Sequence, residues 1–93
     1  MDDTSASTIA AIVNKRGLHA RASAKFVETV ARFQAEVTVR KDGAAVSGRS
    51  IMGLMMLGAS MGTKIEISAT GPDAEDAVAA LSRLIAAKFY EDA

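Results

Sequence analysis

The spacing of apolar residues switches along the chain between a period of two and a helical period, and each switch marks an element. In TIAAIVN, Ile9, Ala11 and Val13 fall on one face at period two, which predicts a strand. Lys15-Arg16-Gly17 breaks that pattern. Phe26, Val27, Val30 and Phe33 then recur at helical spacing and predict a helix from Ala20 to about Phe33. Val37 and Val39 alternate with Glu36, Thr38 and Arg40 ahead of Asp42-Gly43, a strong short-turn signal, so AEVTVRKDGAAVSG reads as a hairpin. RSIMGLMMLGA is too apolar for a loop; Ser50 as N-cap and Gly58 as stop predict a short helix of about two turns. In TKIEISAT, Ile65, Ile67 and Ala69 point inward while Lys64, Glu66 and Ser68 point outward. GPDAED announces the last helix, with Pro72 suited to the first helical position and the acids to the positive helix start. Ala74, Ala77, Val78, Leu81, Leu84, Ile85, Lys88 and Phe89 keep one stripe, apolar until Lys88. The order β-α-β-β-α-β-α, without internal repeat, predicts an α+β domain: one antiparallel sheet with helices on one face. Residues 1–7, small, polar and acidic, read as a flexible N-terminal tail and 8–93 as a single domain.

With 93 residues, 49% of them hydrophobic, the chain has the material for one core. The absence of cysteine excludes a disulfide framework and a thiolate metal cluster, and points to a reducing compartment. The start of the chain carries acids and only a short apolar run, unlike a secretory signal or a membrane span of about 20 apolar residues. A soluble, cytoplasmic protein is expected, with no membrane insertion. Eleven basic and eleven acidic residues cancel, so no overall field drives the chain toward nucleic acid. Their distribution is more telling, because Lys15, Arg16, Arg21 and Lys25 cluster around His19, the only histidine.

That cluster carries the candidate chemistry. At the N-cap of the first predicted helix, His19 would stand beside unpaired backbone N–H groups and a partial positive charge, an arrangement that binds phosphate. The same field disfavours imidazolium and favours the neutral base that a nucleophile needs. Arg21, in the first turn, offers a guanidinium able to donate two hydrogen bonds to phosphoryl oxygens. The pattern fits a phosphoryl group carried on the histidine, against the plainer reading of a capping or solvated residue. One histidine without cysteine cannot build an ordinary zinc site, no carboxylate lies near in sequence to complete a triad, and no Walker-type loop is present. No metal and no cofactor are expected.

GLHARASAKFV, followed by RSIMGLMMLGA and GTKIEISATGPDAEDAV, resembles the HPr family, the histidine phosphocarriers of the bacterial phosphoenolpyruvate-dependent phosphotransferase system. The likeness runs from Ile9 to Phe89. It implies an open-faced β-sandwich with strand order 1-4-2-3, and a carrier rather than an independent enzyme. By resemblance His19 matches the histidine phosphorylated on Nδ1 by enzyme I, with enzyme IIA domains as acceptors. Arg21 matches the arginine on the phosphoryl group, and the site takes in Ala20 and Arg16 beside it. Ser50 matches the serine targeted by HPr kinase/phosphorylase. Two positions depart from the family: Ala22 stands where proline is usual, and Arg16 where asparagine often precedes the glycine.

The second motif is apolar nearly all round. If Leu54 and Leu57 face the core, then Ile51, Met52 and Met55 are left partly exposed, as an adaptable surface for docking several partners or as ordinary gap-filling methionines. Phosphate on Ser50 would place a dianion beside that patch. A monomer is expected. Three other readings stand beside the sugar-uptake carrier: a nitrogen-related regulatory relay, which ATGP and FYED resemble; a small RNA-binding module built on the basic run; and a scaffold presenting the methionines. The RNA reading lacks a stacking pair of aromatics on a strand, and the scaffold leaves His19 unexplained.

Overall fold

Alternation, turn chemistry and caps act on successive stretches of the computed structural model, which describes residues 4–93. Strand β1 spans Ser5–Ala11, helix α1 Ala20–Val30, β2 Glu36–Lys41, β3 Ala44–Ser47, α2 Ile51–Met56, β4 Lys64–Thr70 and α3 Ala74–Ala86, with a short turn of 3-10 helix at Lys88–Tyr90. The four strands form one antiparallel sheet in the order β1-β4-β2-β3. The two central strands alternate as expected, with Val37, Val39, Ile65, Ile67 and Ala69 turned into the core. The β2–β3 hairpin closes through Asp42 and Gly43, both with positive φ (51° and 84°), which is the geometry that matches the twist of paired strands. Helix α3 packs across β1 and β4, and α1 packs on α2 and α3. Phe26, Leu54, Leu81, Ile85 and Phe89 are wholly buried between the helices and the sheet. Among the described residues no helix is long and apolar enough to cross a membrane.

Five expectations need correction. The strand begins at Ser5, which pairs with Thr70, so Ser5–Ser7 belong to the sheet rather than to a tail; residues 1–3 of that tail lie outside the described residues. Ile9, Ala11 and Val13 do share a face, but it is the outer one: Ile9 is 68% exposed, whereas Ile12 is wholly buried and Ala6 and Ala10 pack on the core. Helix α1 stops at Val30, and 31–33 form a turn in which Arg32 and Phe33 donate to the carbonyls three residues back. Helix α3 starts after Asp73 and ends at Ala86, so Pro72 precedes the helix. Lys88, Phe89 and Tyr90 are not helical in the right-handed sense but left-handed in succession, with φ of 59°, 54° and 62°. The reversal still buries Phe89 completely, which keeps the apolar stripe intact while redirecting the chain after it.

Candidate functional site

The loop from Asn14 to His19 is fixed from below by Gly17. Its φ is +67°, and an added Cβ would lie 2.5 Å from the Ala59 carbonyl oxygen and 2.9 Å from the Ser60 Cα. Only glycine supplies both the left-handed backbone and the close approach. The approach is what lets the Leu18 N–H donate to Ala59 at 2.9 Å, while the Leu18 side chain is buried. Buried Asn14 ties the loop to itself, its Nδ2 donating to the Gly17 carbonyl at 2.9 Å. Helix α1 then starts at once, with Ser23 N–H donating to the His19 carbonyl at 2.8 Å. His19 is the N-cap, as expected, with extended backbone (φ −76°, ψ −177°). Its ring makes no capping bond, so the first-turn N–H groups remain open to an anion. Ala22 sits in the first turn of the helix, wholly buried.

The ring itself has a partner that nothing near it in sequence announced. His19 Nε2 is bonded to the Glu91 carboxylate through Oε2, and Asn14 Nδ2 donates to Oε1 of the same carboxylate at 3.0 Å. Both side chains are largely covered, 17% and 13% exposed. Burial alone would push the Glu91 carboxyl up. The hydrogen bonds from Asn14 and His19, together with the charges of His19 and Arg16, outweigh it and hold the group below its ordinary value of 4.5, hence ionised near neutrality. The segment carrying Glu91 is anchored on both sides. Lys25 Nζ donates to the Phe89 carbonyl at 2.6 Å and lies 5.8 Å from the Tyr90 ring centroid, and Lys15 N–H donates to the Ala93 carbonyl at 3.0 Å.

The structure brings Arg16, His19, Ala20 and Arg21 together on the loop and first turn. Arg21 is exposed and pairs with no acid among the described residues; with Lys15, Arg16 and Lys25 it lines a cleft of about 350 Å³ whose opposite side is formed by residues 90–93. Lys25, grouped by sequence with the other cations, lines that cleft and also holds the Phe89 backbone. Ser50 is the N-cap of α2 and its Oγ accepts from the Gly53 N–H at 2.9 Å. Leu54 and Leu57 are buried, while Ile51 (41%), Met52 (69%) and Met55 (41%) are exposed, and so are Met56 and Met61, which were not among the three residues expected.

The family model for the PTS HPr component phosphorylation site matches residues 6–87. The chain belongs to the HPr family. It is similar to the phosphocarrier protein HPr of Neisseria meningitidis serogroup A, 52% identical over 80 residues that cover 86% of this chain and 90% of the relative. It is also similar to the phosphocarrier protein NPr of Escherichia coli K12, 43% identical over 82 residues, 87% of this chain and 91% of the relative. The crystal structure of an HPr from Thermoanaerobacter tengcongensis superposes with a TM-score of 0.90 at 44% identity, covering 95% of this chain and 99% of that one. Proteins of the HPr family are phosphoryl carriers and not enzymes in their own right, and the strand order 1-4-2-3 implied by the resemblance is the order of this sheet. The family is one of phosphoryl carriers, which favours the carrier reading over the RNA-binding and scaffold readings. The family match ends at Ala87, short of Glu91. The sequence carried one faint signal for Glu91: an acid shortly after a buried aromatic that ends an apolar stripe.

Proposed function

We propose that this chain accepts a phosphoryl group from phospho-enzyme I on His19 and passes it to enzyme IIA domains of the phosphotransferase system. The observation that carries the reading is the histidine at the open start of α1, its Nε2 occupied by Glu91 and an unpaired arginine two residues on. Nδ1 is the nitrogen left to form the N–P bond. The N–H groups of Ala20 and its neighbours meet the phosphoryl oxygens at the helix start, and Arg21 closes on them with its planar fork. Arg16 adds charge beside the same anion. Ile51, Met52 and Met55 form the docking surface, an adaptable apolar patch suited to several partners in turn.

Ser50 is the regulatory site in this reading, modified by a kinase of the HPr kinase/phosphorylase type. Phosphate there is tolerated by the start of α2 but sets a charge of about −1.5 to −2 against the docking patch. The molecule works as a monomer in the cytoplasm. A nitrogen-regulatory relay is the second reading, supported by the likeness to NPr over 87% of the chain; the acceptor domain that takes the phosphoryl group fastest separates the two branches. The test of the carrier reading is incubation with phosphoenolpyruvate and enzyme I, followed by intact mass. One phosphoryl group is expected on the wild type and none on His19→Ala; an unmodified wild type would refute the reading.

A further inference from the structure

The segment after α3 is shaped around one contact. Three successive non-glycine residues, Lys88, Phe89 and Tyr90, adopt left-handed backbone, a conformation that L-residues keep only where the surroundings enforce it. What enforces it is visible: Phe89 is wholly buried and Lys25 holds its carbonyl. The turn brings Glu91 back over the loop, and the Lys15–Ala93 backbone bond fixes the chain on its far side. Both carboxylate oxygens of Glu91 are committed, one to Asn14 and one to His19.

An ionised carboxylate only accepts hydrogen bonds, so the nitrogen facing it must carry the proton. In a neutral imidazole the other nitrogen then holds the lone pair. We infer that Glu91 is a positioning residue of the relay: it fixes the His19 proton on Nε2, leaves Nδ1 as the nucleophile and balances the charge the ring acquires. The inference rests on His19 as the carrier residue. In the transfer step the Nδ1 lone pair forms the N–P bond, while the bond from phosphorus to the donor breaks and its electron pair leaves with the donor. No proton departs from His19. Nε2 keeps its hydrogen, the ring becomes cationic, and the Glu91 carboxylate lies against it. Transfer onward returns the lone pair to Nδ1 and restores the same tautomer. This is the service that a third residue renders in a nucleophile–base–orienter set, supplied from 72 residues away and outside the stretch that the family model matches.

The test uses the full chain as wild type, Glu91→Ala and Glu91→Asp, all of which keep the Phe89 and Lys25 anchors. Long-range 1H–15N spectra, at a pH where the ring is neutral, read the tautomer without any transfer. Wild type should be predominantly protonated at Nε2, Glu91→Ala should lose that predominance, and Glu91→Asp should recover part of it. Transfer from phospho-enzyme I should slow about tenfold in Glu91→Ala, the ordinary worth of one charge-assisted hydrogen bond, and recover partly in Glu91→Asp. An unchanged tautomer in Glu91→Ala overturns the assignment. So does faster transfer, which would make the segment a shield over the site. Failure of the wild type itself to take up a phosphoryl group would strike the carrier reading instead, and the spectra tell the two failures apart.

Discussion

Replacing Gly17 by alanine separates the two demands made on that residue. Its φ of +67° imposes a left-handed backbone, which costs an L-residue about 1–2 kcal/mol. The new Cβ would also stand 2.5 Å from a backbone oxygen, a clash that no side-chain rotation relieves. Relief must come from moving the loop away from Ala59, at about 1–3 kcal/mol for overpacking. The same movement stretches the 2.9 Å bond from Leu18 N–H, worth about 0.5–1.5 kcal/mol. Together these predict a loss of roughly 3–6 kcal/mol, a large share of the 5–15 kcal/mol typical of a whole domain. Gly43→Ala is the control, because Gly43 also has positive φ (84°) yet nothing lies within 4 Å of its would-be Cβ. It should cost only about 1–2 kcal/mol, or roughly 4–16 °C in Tm for a domain of this size. Urea unfolding of the three proteins gives both values. Equal losses in the two variants would refute the claim that packing against Ala59 and Ser60 sets the loop.

Arg21→Ala should slow phosphoryl transfer and Arg21→Lys should restore only part of the rate, since an ammonium lacks the planar fork; equal single-turnover rates would remove Arg21 from the site. Ser50→Ala should cost about 1 kcal/mol in urea unfolding through loss of the 2.9 Å cap to Gly53 N–H, whereas Ser50→Asp should fold normally and raise the HPr-type substrate concentration that half-saturates enzyme I. An unchanged half-saturating concentration would sink the docking switch. The depressed carboxyl of Glu91 contributes stability that is present above the ordinary value of 4.5 and lost as pH falls through the lower folded value. The unfolding free energy of wild type relative to Glu91→Gln should therefore shrink below about pH 4.5, and a difference that grows on acidification would contradict the bonding described.

What the sequence made legible was whatever local rules determine. Ile65, Ile67 and Ala69 alternate with polar residues, Asp42-Gly43 can adopt the turn its hairpin needs, and Ser50 caps the helix that follows it. The loop and first turn of α1 were legible for the same reason, since His19, Ala20 and Arg21 are neighbours in the chain. The phase of β1 was not, because apolar residues stand on both faces: Ile9 and Val13 outward, Ala10 and Ile12 inward. The polar residues do not decide it either, since Ser5 and Ser7 lie on the outer face with Ile9 while Thr8 lies on the inner one. The end of α3 was hidden by Phe89, which continues the helical stripe in spacing while reaching the core through a left-handed turn. Glu91 was beyond local reading altogether. Its meaning comes from a fold that returns the chain to a loop 72 residues earlier, and its neighbours Tyr90 and Asp92 read simply as an exposed polar end.

The central claim is that His19 carries the phosphoryl group on Nδ1. Long-range 1H–15N spectra of the chain phosphorylated by enzyme I and phosphoenolpyruvate assign the modified atom directly. The account predicts a single product, His19 phosphorylated at Nδ1 with hydrogen retained on Nε2. A phosphoryl group on Nε2, or on any residue other than His19, would contradict it.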